Sequence, residues 1–159
     1  MDNDRISNSK ISVIYSGLIS DVAATKLMTE CDVGTARNGV LIISCSGIGN
    51  TSDISDITVY TDVGGTITSD HRVATITKAE YYRTDAKTTR TAITVTDNEF
   101  TIPCDSSDLV VIAQVMDLER YVNVAYKCTA GVTDTYQLEV LLVTYDSEES
   151  PFTGARTNY

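Results

Sequence analysis

Apolar and polar residues alternate with a period of two along most of this chain. The segments "ISVIY" (11–15), "GVLIISCS" (39–46), "DITVYTDV" (56–63), "RVATITKAEYY" (72–82), "TAITVT" (91–96) and "EFTIP" (99–103) are rich in β-branched and aromatic residues. So are "LVVIAQVM" (109–116), "YVNVAYKC" (121–128) and "TYQLEVLLVTY" (135–145). This is the pattern of strands with a preferred inward face. Between them fall "GIGNTSD", "DVGG", "TDNE", "CDSSD" and "TAGVTD", where Gly, Asn, Asp and Ser supply turn chemistry. Short strands divided throughout by turns predict an all-β chain: an antiparallel, jelly-roll-like β-sandwich of about 8–10 strands rather than βαβ units.

Two segments break the clean alternation. Residues 109–116 are apolar on both faces apart from Gln114, and "LEVLLV" (138–143) is nearly so. A sheet with one wet face alternates, so either these strands are covered on both sides or one of their faces meets another subunit. The stretch 120–145 reads as two long strands joined by a Gly-containing turn, a hairpin that completes the sandwich. Helix is scarce: "VAATKLMTE" (22–30) has helix-forming residues but no N-cap box, and an extended segment fits it equally well. Residues 1–9 read as a flexible polar segment, 10–145 as one sandwich domain, and 146–159 as a C-terminal arm with Phe152 and Tyr159 as aromatic anchors.

Charge narrows the partners. With 12 Lys+Arg against 22 Asp+Glu, the net charge is −10, too acidic to build the basic face a phosphate backbone demands. Nucleic acid is therefore not an expected partner. No apolar run is long enough for a membrane helix, and the polar start "MDNDRISNSK" lacks the features of a secretion signal, so no membrane partner is expected. Cys31, Cys45, Cys104 and Cys128 are widely spaced, without a C-x-x-C pair or a neighbouring His, and read as buried thiols rather than as a zinc site.

Candidate chemistry is sparse. The one histidine, His71, lies in the turn-like "TSDHRV", and its neighbour Asp70 would point to the other side of a strand. "SGIGN" (46–50) lacks the third glycine of a dinucleotide fingerprint, and no other nucleophile, phosphate or zinc motif is present. Asp53, Asp56 and Asp62 could gather around calcium, but without the EF-hand spacing they read as turn residues. Neither a catalytic residue, a cofactor nor a metal is assigned. The chain reads as a binding or structural module, not an enzyme.

One stretch is similar to known proteins. In residues 99–151 an extended segment leads to Asp105, Asp108 and Leu109. "RYV.V" (Arg120, Tyr121, Val122, Val124) then opens a strand, and Val140 to Val143 form an apolar strand before Pro151. "RNGVLIISCSGIG" and "DITVYTDVGGT" fit the same layout loosely. This resembles the head decoration (cement) proteins of tailed bacteriophages, of the jelly-roll or β-sandwich type. The chain departs from that pattern at "ITSDHRVATITKAEYYRTDAKTTR", which looks like an inserted hairpin or loop at about 66–90.

The resemblance implies a virion structural protein that is assembled in the host cytoplasm and binds the outer capsid shell. Its partners would be the major capsid protein and further copies of itself, a trimer being the favoured homo-oligomer. The expected interface residues are Leu138, Leu141, Val143 and Tyr145 on the last strand, Tyr81 and Tyr82 in the insertion, and Phe152 and Tyr159 in the arm. Two rivals remain: a tail or neck component, and a carbohydrate- or receptor-binding sandwich that uses Tyr81 and Tyr82 with Asp85.

Overall fold

A computed structural model describes residues 10–20, 24–46, 54–85, 89–104, 108–128 and 135–145, and the arms expected at 1–9 and 146–159 lie outside them. Among the described residues the chain forms strands and no helix, twelve in all, nine of them three residues or longer. They are β1 (Lys10–Ser20), β2 (Lys26–Leu27), β3 (Cys31–Asp32), β4 (Asn38–Ser46), β5 (Ile54–Asp62) and β6 (Arg72–Val73). Then come β7 (Thr75–Arg83), β8 (Thr91–Ile93), β9 (Glu99–Ile102), β10 (Leu109–Met116), β11 (Tyr121–Cys128) and β12 (Thr135–Tyr145).

Two antiparallel sheets result. One runs β1-β12-β4-β10-β7-β8; the other runs β2-β11-β5-β6, with β3 also on β11 and β9 also on β5. The pairs nest. β1 pairs with β12, β2 and β3 with β11, β4 with β10, and β5 with β6 and β9. A long antiparallel ribbon rolled up on itself gives this order, the topology of a jelly roll.

The inward faces follow the alternation of the sequence. Leu41, Ile43 and Cys45 of β4, Leu109, Val111 and Val115 of β10, and Leu138, Val140 and Leu142 of β12 point into one core. From the other sheet come Ile57 and Val59 of β5 and Val122, Val124, Tyr126 and Cys128 of β11. The thiols of Cys45 and Cys104 meet inside at 3.8 Å.

One expectation needs correction, and one open choice is decided. The segments 121–128 and 135–145 are not a hairpin, because β11 and β12 belong to opposite sheets. Both carry an apolar row, and packing those rows against each other across the core buries both, which pairing them edge to edge would not do. Of the two readings open for 22–30, the described part takes the extended one. Lys26–Leu27 is a strand on β11, and the Met28 N–H donates to the Val124 carbonyl at 2.9 Å. Pairing with a buried neighbour outweighs a weak intrinsic preference.

β6 and β9 are two halves of one strand position. Arg72 and Val73 pair with Thr61 and Tyr60, the Ala74 N–H donates to the Val59 carbonyl, and Glu99, Phe100 and Ile102 continue along β5 to Ile54. Between the halves the chain crosses to the other sheet, where β7 and β8 add two strands beyond β10.

The return is a tight turn at 96–99. Thr96 and Glu99 exchange backbone hydrogen bonds at 3.0 Å, and Asp97 and Asn98 both adopt positive φ. That is the pattern of a type I′ turn, for which Asn and Asp are suited. The Asn98 Oδ1 also accepts from the Ile76 N–H at 3.2 Å, tying the turn to the start of the excursion. Asn98→Ala is expected to destabilise the fold by about 1–3 kcal/mol, read by thermal or urea unfolding, since it loses the acceptor and strains the backbone. Asn98→Gly should recover only the backbone part, and equal stability of both variants with the parent would contradict the tie.

Candidate functional site

The side chains that could do chemistry are occupied structurally. His71 sits in the turn 68–71, where its Nδ1 accepts from the Thr68 N–H at 2.9 Å. Asp62 accepts from the Gly64 N–H at 2.7 Å, while Asp56 pairs with Lys127 at 2.8 Å. Asp53 lies outside the described residues. No three of His, Cys, Asp and Glu gather as metal ligands among the described residues.

The remaining perturbed groups serve packing. Burial pushes the Cys31 thiol up to about 11 and the Tyr126 hydroxyl up to about 12, which keeps both protonated at neutral pH. Arg120 donates to Asp32 through Nε and Nη2 at 3.1 and 3.0 Å and holds that carboxyl below its ordinary range. The same guanidinium stacks 5.1 Å from the Tyr121 ring centroid. The "RY" of the "RYV.V" stretch thus fastens β3 to the start of β11. No helix long and apolar enough to cross a membrane is present among the described residues.

Two surface features remain. The first is the outward face of the six-stranded sheet, where cross-strand pairs set apolar rows side by side. One row is Ile11, Val143 and Val40; the next is Val13, Leu141, Ile42 and Ile112. At the β1 end these side chains are open to solvent, Ile11 at 67% and Val13 at 59%. Moving inward, Leu141, Ile42 and Ile112 are half-buried by their neighbours, and Val40 and Val143 are buried. Among the described residues charge enters this face at its borders, with Glu139, Lys78 and Glu80.

β1 also forms the outer edge of this sheet. It is 11 residues long, without proline and without charge after Lys10. Soluble proteins usually protect such an edge with charges, proline or brevity. The one irregularity is a bulge between Val13 and Tyr15, beyond which the Tyr15 hydroxyl donates to the Leu18 carbonyl at 2.7 Å.

The second feature is a cleft of about 480 Å³ at the far side of the molecule, where the edge strands β8 and β9 of the two sheets face each other. Tyr81, Ile93, Phe100 and Pro103 give it an apolar floor. Thr91, Thr94, Thr96 and Thr101 line its walls, with Asp56 and Glu99 among them.

The predicted interface residues fall into separate places. Leu138 is fully buried in the core, and Val143 and Tyr145 are buried as well. Leu141 lies on the outward apolar face, half-buried. Tyr82 shares that side of the sheet through its pairing with Val110, while Tyr81 points the other way, into the cleft. Tyr81, Tyr82 and Asp85 therefore do not form one site. Phe152 and Tyr159 lie outside the described residues.

Sequence reasoning missed Ile11, Val13, Val40, Ile42 and Ile112 as members of one face. The signal was the two-sided apolarity of 109–116 and 138–143, which "ISVIY" and "VLII" share. Comparison with protein-family models, curated proteins and solved structures finds no match to this chain.

Proposed function

We propose that this chain is a structural protein of a bacteriophage particle, a head decoration protein that works by adhesion as a homo-oligomer on the capsid shell. The observation that carries the reading is the apolar outward face that runs out to β1, the edge strand of its sheet. Such a face persists in a soluble chain when another protein surface covers it. Its rows are aliphatic and free of charge at their centre, so a second copy related by symmetry complements it without burying an unpaired ion.

Three further points support the assignment. A jelly roll is a shell-building architecture that offers broad faces and needs no cofactor. The acidic balance suits a protein assembled near packaged DNA yet held off it. Residues 99–151 resemble the decoration proteins in layout. The major capsid protein is the partner of the surfaces that the self-contact leaves free, and many weak contacts repeated over a lattice hold firmly through effective concentration.

Mass spectrometry of purified particles tests this directly. Shell decoration predicts on the order of hundreds of copies per particle, whereas about six or twelve would place the chain at the neck or tail, following ring symmetry. Absence from particles would overturn the virion assignment. A chain truncated after Tyr145 is expected to stay folded but attach more weakly to bare capsids if the arm contributes a contact.

A further inference from the structure

We infer that the cleft between β8 and β9 is a binding site for a neutral carbohydrate. This inference does not depend on the virion assignment. The cleft lies at the β8 edge and the self-contact at the β1 edge, so both can be occupied at once.

The lining has the chemistry of sugar recognition. A pyranose presents C–H groups on its faces and hydroxyls around its rim. Tyr81 and Pro103, backed by the buried Phe100, offer apolar surface for the first, and the Arg83 guanidinium, 5.5 Å from the Tyr81 ring centroid, steadies that ring. The threonines serve the second, because each hydroxyl can donate and accept. Glu99 and the free carboxylate oxygen of Asp56 add charged acceptors for sugar hydroxyls, the stronger class of hydrogen bond.

The walls are held in place before any ligand arrives. Thr96 and Glu99 are the two ends of the hydrogen-bonded turn, and Thr58 donates to the Glu99 carboxylate at 3.5 Å. Asp56 is fixed from two sides. It sits at φ +51 in the β5 bulge, and its Oδ2 is clamped by Lys127. Bulges of this kind re-aim side chains at working sites.

The same lining excludes other classes. No lysine or arginine lines it among the described residues, and Lys127 is taken up by Asp56, so phosphorylated or sialylated ligands would meet the Glu99 carboxylate without a lining cation. Hydroxyls and carboxylates make it too polar for a lipid tail. The volume suits one or two sugar rings, at the lower end of small-molecule sites. A single such cleft binds weakly, and several copies on one assembly would raise the avidity on a glycan-coated surface.

The test is a glycan array probed with the full-length chain, followed by saturation-transfer NMR with the free sugars that score. We expect neutral or N-acetylated oligosaccharides to bind. Glu99→Gln and Thr101→Ala, both at exposed positions, should each weaken binding about tenfold or more, the loss expected for a buried acceptor or donor left unmatched. Asp56→Asn provides a second acidic variant that keeps a residue tolerant of positive φ. A silent array at millimolar sugar overturns the inference. So does binding that all three substitutions leave intact, or binding confined to anionic glycans. Val13→Glu separates the two proposals: it breaks self-association, yet NMR binding of the free sugar should persist.

Discussion

Replacing Leu138 with alanine is expected to cost about 2–5 kcal/mol of folding free energy, the range for truncating a fully buried leucine. Leu138 is 0% exposed. It lies mid-strand on β12, between Gly17 of β1 and Cys45 of β4, in the central part of the six-stranded sheet. The loss includes the transfer free energy of the removed methyl groups and a cavity that rigid neighbours cannot close. Domains of this kind have only about 5–15 kcal/mol of stability in all, so a large fraction would go. Urea unfolding followed by far-UV circular dichroism measures it. The adjacent Gln137 and Glu139 are exposed, and alanine there should stay within about 0.5 kcal/mol. A Leu138→Ala midpoint close to that of Glu139→Ala would mean that β12 presents the wrong face to the core.

Ile11→Glu combined with Val13→Glu is expected to turn the proposed oligomer into a folded monomer. Both side chains are already open to solvent in one chain, so charge there costs the fold little. Across a symmetric contact each new carboxylate would face apolar surface, or its own copy, without a partner. That burial penalty corresponds to at least about a hundredfold loss of affinity for the pair, a shift of roughly 2.8 kcal/mol. Light scattering after size exclusion reads the outcome, with circular dichroism as the check on folding. A parent chain that is monomeric at about 100 μM, far above the dissociation constants of specific stable contacts, would remove the self-contact. So would a doubly substituted chain that keeps the parent's mass.

The strands 109–116, 121–128 and 135–145 were legible to the residue, because long β-branched apolar runs bounded by turn residues have one good solution. β1 was half legible. The alternation was read only over "ISVIY" (11–15), because Ser16 and Gly17 interrupt it, whereas the backbone runs on to Ser20 after the bulge. β2 and β3 could not be read, since two residues carry no period. They are strands only because β11 offers a ladder beside them.

The apparent hairpin at 120–145 shows the same limit from the other side. Periodicity fixes which residues face inward, but the choice of sheet depends on where a partner row lies. The split of one strand position into β6 and β9 was equally invisible, because the pairing that joins them is set by β5, whose partners lie 11–13 residues before those in β6 and 41–48 before those in β9. As for the candidate site, the tyrosine pair was visible but its meaning was not. Adjacent residues on a strand diverge, so only Tyr81 reaches the cleft. The aliphatic face announced itself as two strands with no polar side, and only the register showed that β1 and β4 extend it.

The nested pairing has a consequence for how the protein is made. Lys10 pairs with Thr144, so the first strand can find its place only after the last has left the ribosome. Nearly every ladder joins distant parts of the chain, the arrangement that slows folding most, because loops must close before contacts reward them. A ribosome-bound fragment lacking β12 would expose both the free flank of β4 and the whole of β1, two sticky segments awaiting one missing strand. Synthesis at high level should therefore be limited by chaperone capacity and temperature more than by the stability of the finished product.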